Sequence, residues 1–152
     1  MKTAVFPGSF DPITLGHESI VRRALPLFDH IIVAIGINQD KAGYFPLEKR
    51  LKWIKTVFSD CPSVSVESYN GLTVDFCRLK NASHLIRGLR TSADFEFERS
   101  VAQVNNRLSQ SVETVFLLTQ PEYVMITSSI VREVHKYGGD ISQFIPKSVR
   151  ID

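Results

Sequence analysis

Residues 30 to 36 read His-Ile-Ile-Val-Ala-Ile-Gly, an unbroken apolar run rich in β-branched side chains. A strand with one wet face alternates apolar and polar residues. A run without alternation suits a strand covered on both faces, as in a parallel sheet. The segments around it have the matching pattern. Thr3 to Phe6 reads as a short buried strand ending at Pro7-Gly8, and Ser63 to Glu67, Ser83 to Ile86 and Glu113 to Leu118 read as further strands. Helical spacing fills the intervals at His17 to Phe28, Leu47 to Phe58, Leu72 to Lys80, Ser92 to Leu108 and Ser128 to Lys136. Ser92 is the expected N-cap of the longest helix, and Gly138-Gly139 ends the last one. Strand and helix alternate with short loops, which predicts parallel βαβ units in one doubly wound, Rossmann-like α/β sheet of about five strands, with helices on both faces.

A chain of 152 residues suits a single domain over 1–152. Hydrophobic residues at 43% and charged residues at 22% are ordinary for a folded chain. A net charge of +2 gives no reason to expect nucleic acid as a partner. Cys61 and Cys77 are too few for a disulfide scaffold and lack a metal-ligand spacing. The apolar stretch at the N-terminus is too short for a signal peptide, and no run approaches a membrane span, so the expected location is the cytoplasm.

Ligands of such a sheet bind beyond the carboxyl ends of its strands. The segments expected there are 7–16, 37–46, 69–72, 87–91 and 119–127. They carry Gly8, Ser9, Thr14, Gly16 and His17, then Lys41, then Arg87 and Arg90 around Gly88, and finally Thr127, Ser128 and Ser129 at a helix start. Glycines, hydroxyls and cations at helix N-termini describe a polyphosphate site. The Pro7–His17 turn is the expected phosphate holder, with a neutral His17 donating one N–H. Taken singly, Lys41 could be a solvated loop lysine, Glu98 could face water or pair with Arg99 or Arg90, and Thr127 to Ser129 could be plain helix caps. His30, His84 and His135 show no metal spacing, and Trp53 reads as core. Phe95, Phe97, Val101, Ala102, Val104 and Leu108 cover more than one narrow stripe of the long helix, which predicts a subunit interface.

Thr14-Leu15-Gly16-His17 resembles the Thr/His-x-Gly-His signature of the adenylyl- and cytidylyl-transferase superfamily. Lys41 before Phe45-Pro46-Leu47-Glu48, the run Leu85 to Arg90, the run Ala93 to Glu98, and Ile126 to Ser129 are similar to bacterial phosphopantetheine adenylyltransferases. The resemblance runs from Phe6 to about Pro146, and the Arg-Gly-Leu-Arg segment with its downstream Asp-Phe-Glu is its most specific part. It implies ATP and 4′-phosphopantetheine as substrates, dephospho-coenzyme A and pyrophosphate as products, Mg²⁺ as cofactor and a homohexamer. It implies that Ser9 and Phe10 touch ATP, that Ser9 also meets the acceptor, and that His17 holds the α-phosphate in the transition state. Lys41, Thr73 and Arg87 would bind phosphopantetheine. Gly88, Leu89, Arg90, Glu98, and Tyr123, Val124, Met125, Ile126, Thr127, Ser128 and Ser129 would bind ATP. Lys41 and Arg90, with His17, would form the catalytic set. Ser9, Leu15 and Thr127 depart from the usual Thr, Asn and Ser.

The chemistry agrees with these residue types. A phosphate monoester has a second pKa of about 6 and is mostly dianionic at neutral pH, so it needs no general base. Bringing two anions together calls for positioning and charge stabilisation. Direct in-line transfer without an adenylated enzyme is expected, with Mg²⁺ mainly on phosphate oxygens, since no carboxylate cluster suits a protein cage. The alternatives are another acceptor or triphosphate (nicotinamide mononucleotide with ATP, glycerol phosphate with CTP) or a non-catalytic nucleotide-binding domain. A class I aminoacyl-tRNA synthetase shares the Gly-His theme, but the chain is too short to carry a tRNA-binding apparatus as well.

Overall fold

The computed structural model describes residues 1–151. Five strands, β1 (Thr3–Gly8), β2 (His30–Gly36), β3 (Val64–Tyr69), β4 (His84–Leu89) and β5 (Glu113–Leu118), form one sheet in the order β3-β2-β1-β4-β5. Every neighbouring pair is parallel. The helices are α1 (Leu15–Ala24), α2 (Leu47–Val57), α3 (Thr73–Leu79), α4 (Ser92–Leu108) and α5 (Ser128–Lys136). The doubly wound α/β expectation is therefore met. No helix among the described residues is long and apolar enough to cross a membrane.

The run at 30–36 behaves as its composition requires. Ile31, Val33 and Ile35 enter one core with Ile20 and Val21 of α1, Ile54 of α2 and Val131 of α5. Ile32 and Ala34 enter a second core with Phe76 and Cys77 of α3. Burying both faces of this strand excludes any polar alternation.

The sheet order places a switch point between β1 and β4, because the chain moves outward to β3 and then returns beside β1. The ladder there is short. β1 and β2 pair over six residues from Thr3↔His30 to Gly8↔Ile35, whereas β1 and β4 pair only at Ala4↔His84 and Val5↔Leu85. Beyond Val5 the two strands part, and their carboxyl ends open a crevice.

Several boundaries differ from expectation, and two of them bear on the site. β4 runs on to Leu89, so Arg87 and Gly88 belong to the strand rather than to the loop after it. A Cβ on Gly88 would stand 3.2 Å from Ile20 Cγ1, so the glycine lets α1 pack tightly against the sheet. The N-cap of α4 is Thr91, whose hydroxyl accepts the Asp94 N–H at 3.2 Å, and Ser92 is already helical.

Candidate active site

The crevice is a cleft of about 500 Å³. The β1–α1 turn forms its floor. Phe10 takes φ 45°, and its ring, 2% exposed, packs edge-on against Phe6 at 5.3 Å and His17 at 4.9 Å. Gly8 serves this packing, since a Cβ there would lie 3.1 Å from the Phe10 ring. Only the backbone of Phe10 is left to face a ligand, while Ser9 is exposed.

Thr14 caps α1 and forms a capping box with His17. Its backbone N–H donates to His17 Nδ1 at 3.0 Å, and its hydroxyl accepts the His17 N–H. Nδ1 is thus an acceptor, and in the neutral ring the proton resides on Nε2. Burial, then the nearby charges of Arg87 and Arg90, push the His17 pKa down to about 4. His17 is neutral at physiological pH and is a donor at Nε2.

Two arginines from the β4 side enter the cleft in fixed poses. Arg87 is gripped by Glu98 of α4 through Nε–Oε2 at 2.9 Å and Nη2–Oε1 at 2.8 Å. Its Nη1 donates to the Pro7 carbonyl at 2.6 Å, just past the point where β1 and β4 separate. A guanidinium has five N–H donors, so two remain for an anion. Glu98 pairs with Arg87, and not with Arg99 or Arg90. Arg90 is held instead by Asp94, with Nε–Oδ2 at 3.1 Å and Nη2–Oδ1 at 3.3 Å.

The far wall is the start of α5. Thr127 is its N-cap and accepts the Ile130 N–H at 3.2 Å. Ser128 Oγ donates to the Pro12 carbonyl at 2.8 Å, tying this helix to the floor turn. Free N–H groups and the positive end of the helix dipole meet the cleft here.

The structure brings Ser9, Phe10, His17, Arg87, Gly88, Arg90, Glu98, Tyr123, Ile126, Thr127, Ser128 and Ser129 to one cleft. Thr73 lines an adjoining cavity of about 300 Å³ that shares Pro7, Gly8, Arg87, Phe97 and Glu98 with the first. Its hydroxyl lies 2.8 Å from that of Tyr69. Lys41, Leu89, Val124 and Met125 line neither cavity. Lys41 is exposed on the 37–46 loop, and Met125 is 81% exposed.

Arg132 was not among the residues singled out in the sequence, yet it lines the cleft. Its Nη1 donates to the Asp11 carbonyl at 2.8 Å and its Nη2 to Ser129 Oγ at 3.2 Å. Among the described residues it has no carboxylate partner. Its position one turn after Ser128 on the same helix was the available signal.

Residues 5–134 match the cytidylyltransferase-like family. A phosphopantetheine adenylyltransferase of Flavobacterium psychrophilum is 54% identical, over 99% of both chains. One from Bacteroides thetaiotaomicron is 47% identical over the full length of both, and one from Lachnoclostridium phytofermentans is 45% identical over 98% of this chain and 91% of that one. Among solved structures, a bifunctional NMN adenylyltransferase/ADP ribose pyrophosphatase from Francisella tularensis matches with a TM-score of 0.73 at 16% identity. The match covers 95% of this chain and 44% of that longer one, and it concerns the fold.

Proposed function

This chain belongs to the phosphopantetheine adenylyltransferases of the cytidylyltransferase-like family, and on that premise we propose that its cleft transfers the adenylyl group of ATP directly to 4′-phosphopantetheine. The products are dephospho-coenzyme A and pyrophosphate, a step of coenzyme A synthesis. The observation that carries the mechanism is the neutral His17, locked by Thr14 with Nε2 as its N–H.

In this reading the ATP phosphates lie between the floor turn and the start of α5. Ser9, the Phe10 backbone, Gly88, Leu89, Arg90 and the 123–129 segment contact ATP, with Leu89, Val124 and Met125 acting from outside the cleft lining. His17 donates Nε2–H to an α-phosphate oxygen as charge builds there in the transition state. Arg90 and Arg132 face the triphosphate, and Arg132, with no acidic partner among the described residues, draws the departing pyrophosphate. The acceptor occupies the adjoining cavity beside Thr73. The two spare donors of Arg87 meet its phosphate, and Glu98 serves by holding the Arg87 fork. Lys41 reaches the same phosphate from its loop, and Ser9 stands between the two substrates. The attacking oxygen needs no base, and displacement is in line at the α-phosphorus.

Mg²⁺ would be carried by the ATP and not by a protein cage. The cleft carboxylates Asp94 and Glu98 are engaged by Arg90 and Arg87, so phosphate oxygens and water are the ligands that suit the ion. Bound there, it supplies further neutralisation of the triphosphate charge. We place the reaction in the cytoplasm, with neither membrane nor nucleic acid as a partner, and the enzyme as a homohexamer. Support for assembly comes from α4, which buries only Glu98 and leaves Phe97 68%, Val104 57% and Leu108 49% exposed.

The test is pyrophosphate release with ATP or CTP against a panel of 4′-phosphopantetheine, nicotinamide mononucleotide and glycerol phosphate. Release is expected only with ATP and 4′-phosphopantetheine. Preference for another pair would overturn the substrate assignment, and recovery of a covalent adduct from labelled ATP alone would overturn direct transfer.

A further inference from the structure

Among the described residues three charged ones are buried: Glu98, which lines the cleft, and Asp11 and Arg50, which do not. Arg50 Nε stands 3.9 Å from Asp11 Oδ1. A buried ion pair is a poor source of stability, because desolvation offsets most of its attraction. Their hydrogen bonds suggest a different purpose. Asp11 accepts the Tyr44 N–H at Oδ2 across 2.7 Å and the Phe45 N–H at Oδ1 across 2.9 Å. Arg50 donates from Nε to the Phe45 carbonyl at 2.9 Å and from Nη1 to the Ser9 carbonyl at 2.8 Å. Together they bind the backbone of the floor turn to the backbone of the 37–46 loop. Gly43 completes the fit, since a Cβ there would stand 2.6 Å from Arg50 Nη2.

Lys41 lies three residues before Tyr44. A chain extends by at most about 3.6 Å per residue, so pinning Tyr44 keeps the Lys41 backbone within roughly 11 Å of the clamp. We propose that Asp11 and Arg50 are positioning residues for the transfer: their clamp fixes the Lys41 loop in register with Ser9, so that the acceptor phosphate is presented to the ATP already seated on the floor turn. This depends on the reading above, in which Lys41 meets the acceptor.

A double-mutant cycle of Asp11→Asn and Lys41→Ala tests it, with kcat/KM for 4′-phosphopantetheine and the ATP Kd measured for each protein. Asn keeps one acceptor oxygen but turns an amide toward the other N–H. Asp11→Asn is expected to lower kcat/KM about tenfold to a hundredfold, the scale of an ångström-sized misplacement, with the ATP Kd within about twofold of wild type. In the Lys41→Ala background the same change should cost little more. Full multiplication of the two defects, or a rise in ATP Kd that matches the acceptor defect, would overturn the clamp alone. A Lys41→Ala enzyme with wild-type kcat/KM would overturn the clamp together with the Lys41 reading. If Asp11→Asn does not fold, Gly43→Ala takes its place in the cycle. It keeps both buried charges, disturbs the loop at Arg50, and carries the same expected and contrary results.

Discussion

His17 Nδ1 accepts the backbone N–H of Thr14 across 3.0 Å, so the residue that caps α1 also sets the tautomer of the ring in the cleft. The proton on Nε2 is the donor the proposed transition state needs. His17→Ala is expected to lower kcat by about 10²–10³ while binding of ATP changes little. Loss of the capping bond should reduce stability by about 1 kcal/mol, read from urea denaturation. Near-normal turnover would remove His17 from the mechanism.

The pH dependence separates enzyme from substrate. Folded His17 binds its proton only near pH 4, whereas in the unfolded chain it does so near the ordinary 6.5. Between these values the unfolded state holds more protons, so stability falls as pH drops through that window. Thermal denaturation of His17→Gln without ligand should show a shallower acid slope than wild type over the same range. Because folded His17 stays neutral down to about pH 4, the acid limb of kcat/KM belongs to the acceptor phosphate, at about pH 6. Replacing the acceptor phosphate by a more acidic phosphorothioate should move the limb downward. A limb that stays in place would assign it to the protein.

Glu98 has a role distinct from simple charge. Its side chain is 11% exposed and takes two of the five Arg87 donors. Glu98→Gln keeps the volume and removes the counter-charge, so Arg87 loses its fixed pose. The acceptor KM should rise about tenfold, and stability should fall by about 1–3 kcal/mol for a charged hydrogen-bonded pair. An equal defect toward ATP and acceptor would show that Glu98 serves ATP directly.

The outward face of α4 predicts self-association. Val104, 57% exposed, sits mid-helix among Val101 and Leu108. Val104→Asp would bury a charge in any contact formed there. Sedimentation should find an oligomer for wild type and a smaller species for the variant. A wild-type monomer would contradict the assembly.

The strand at 30–36 was legible residue for residue, because a two-faced core leaves no choice but unbroken apolar sequence, whereas the half-buried edge strand at 113–118 was legible from its β-branched and aromatic residues. Arg87 and Gly88 were read as loop, since an arginine and a glycine together look like a turn. Tertiary partners override that pattern: Glu98 supplies the counter-charge, and Ile20 fills the space above the glycine. Thr91 and Ser92 both present a hydroxyl before the same helix, so composition could not choose between them as cap. His17, Ser9 and Arg90 were found because local motif and strand end coincide. Asp11 and Arg50 were not, because their partners lie 33, 34 and 41 residues away, at distances no local pattern reports.

The most direct measurement follows the acceptor's own oxygen. Enzyme is mixed with ATP and 4′-phosphopantetheine whose phosphate carries heavy oxygen, and the products are weighed by mass spectrometry. Attack by the acceptor phosphate on the α-phosphorus of ATP predicts dephospho-coenzyme A and pyrophosphate in equal amounts, with all of the label in dephospho-coenzyme A. Label in pyrophosphate, or pyrophosphate formed without dephospho-coenzyme A, would contradict it.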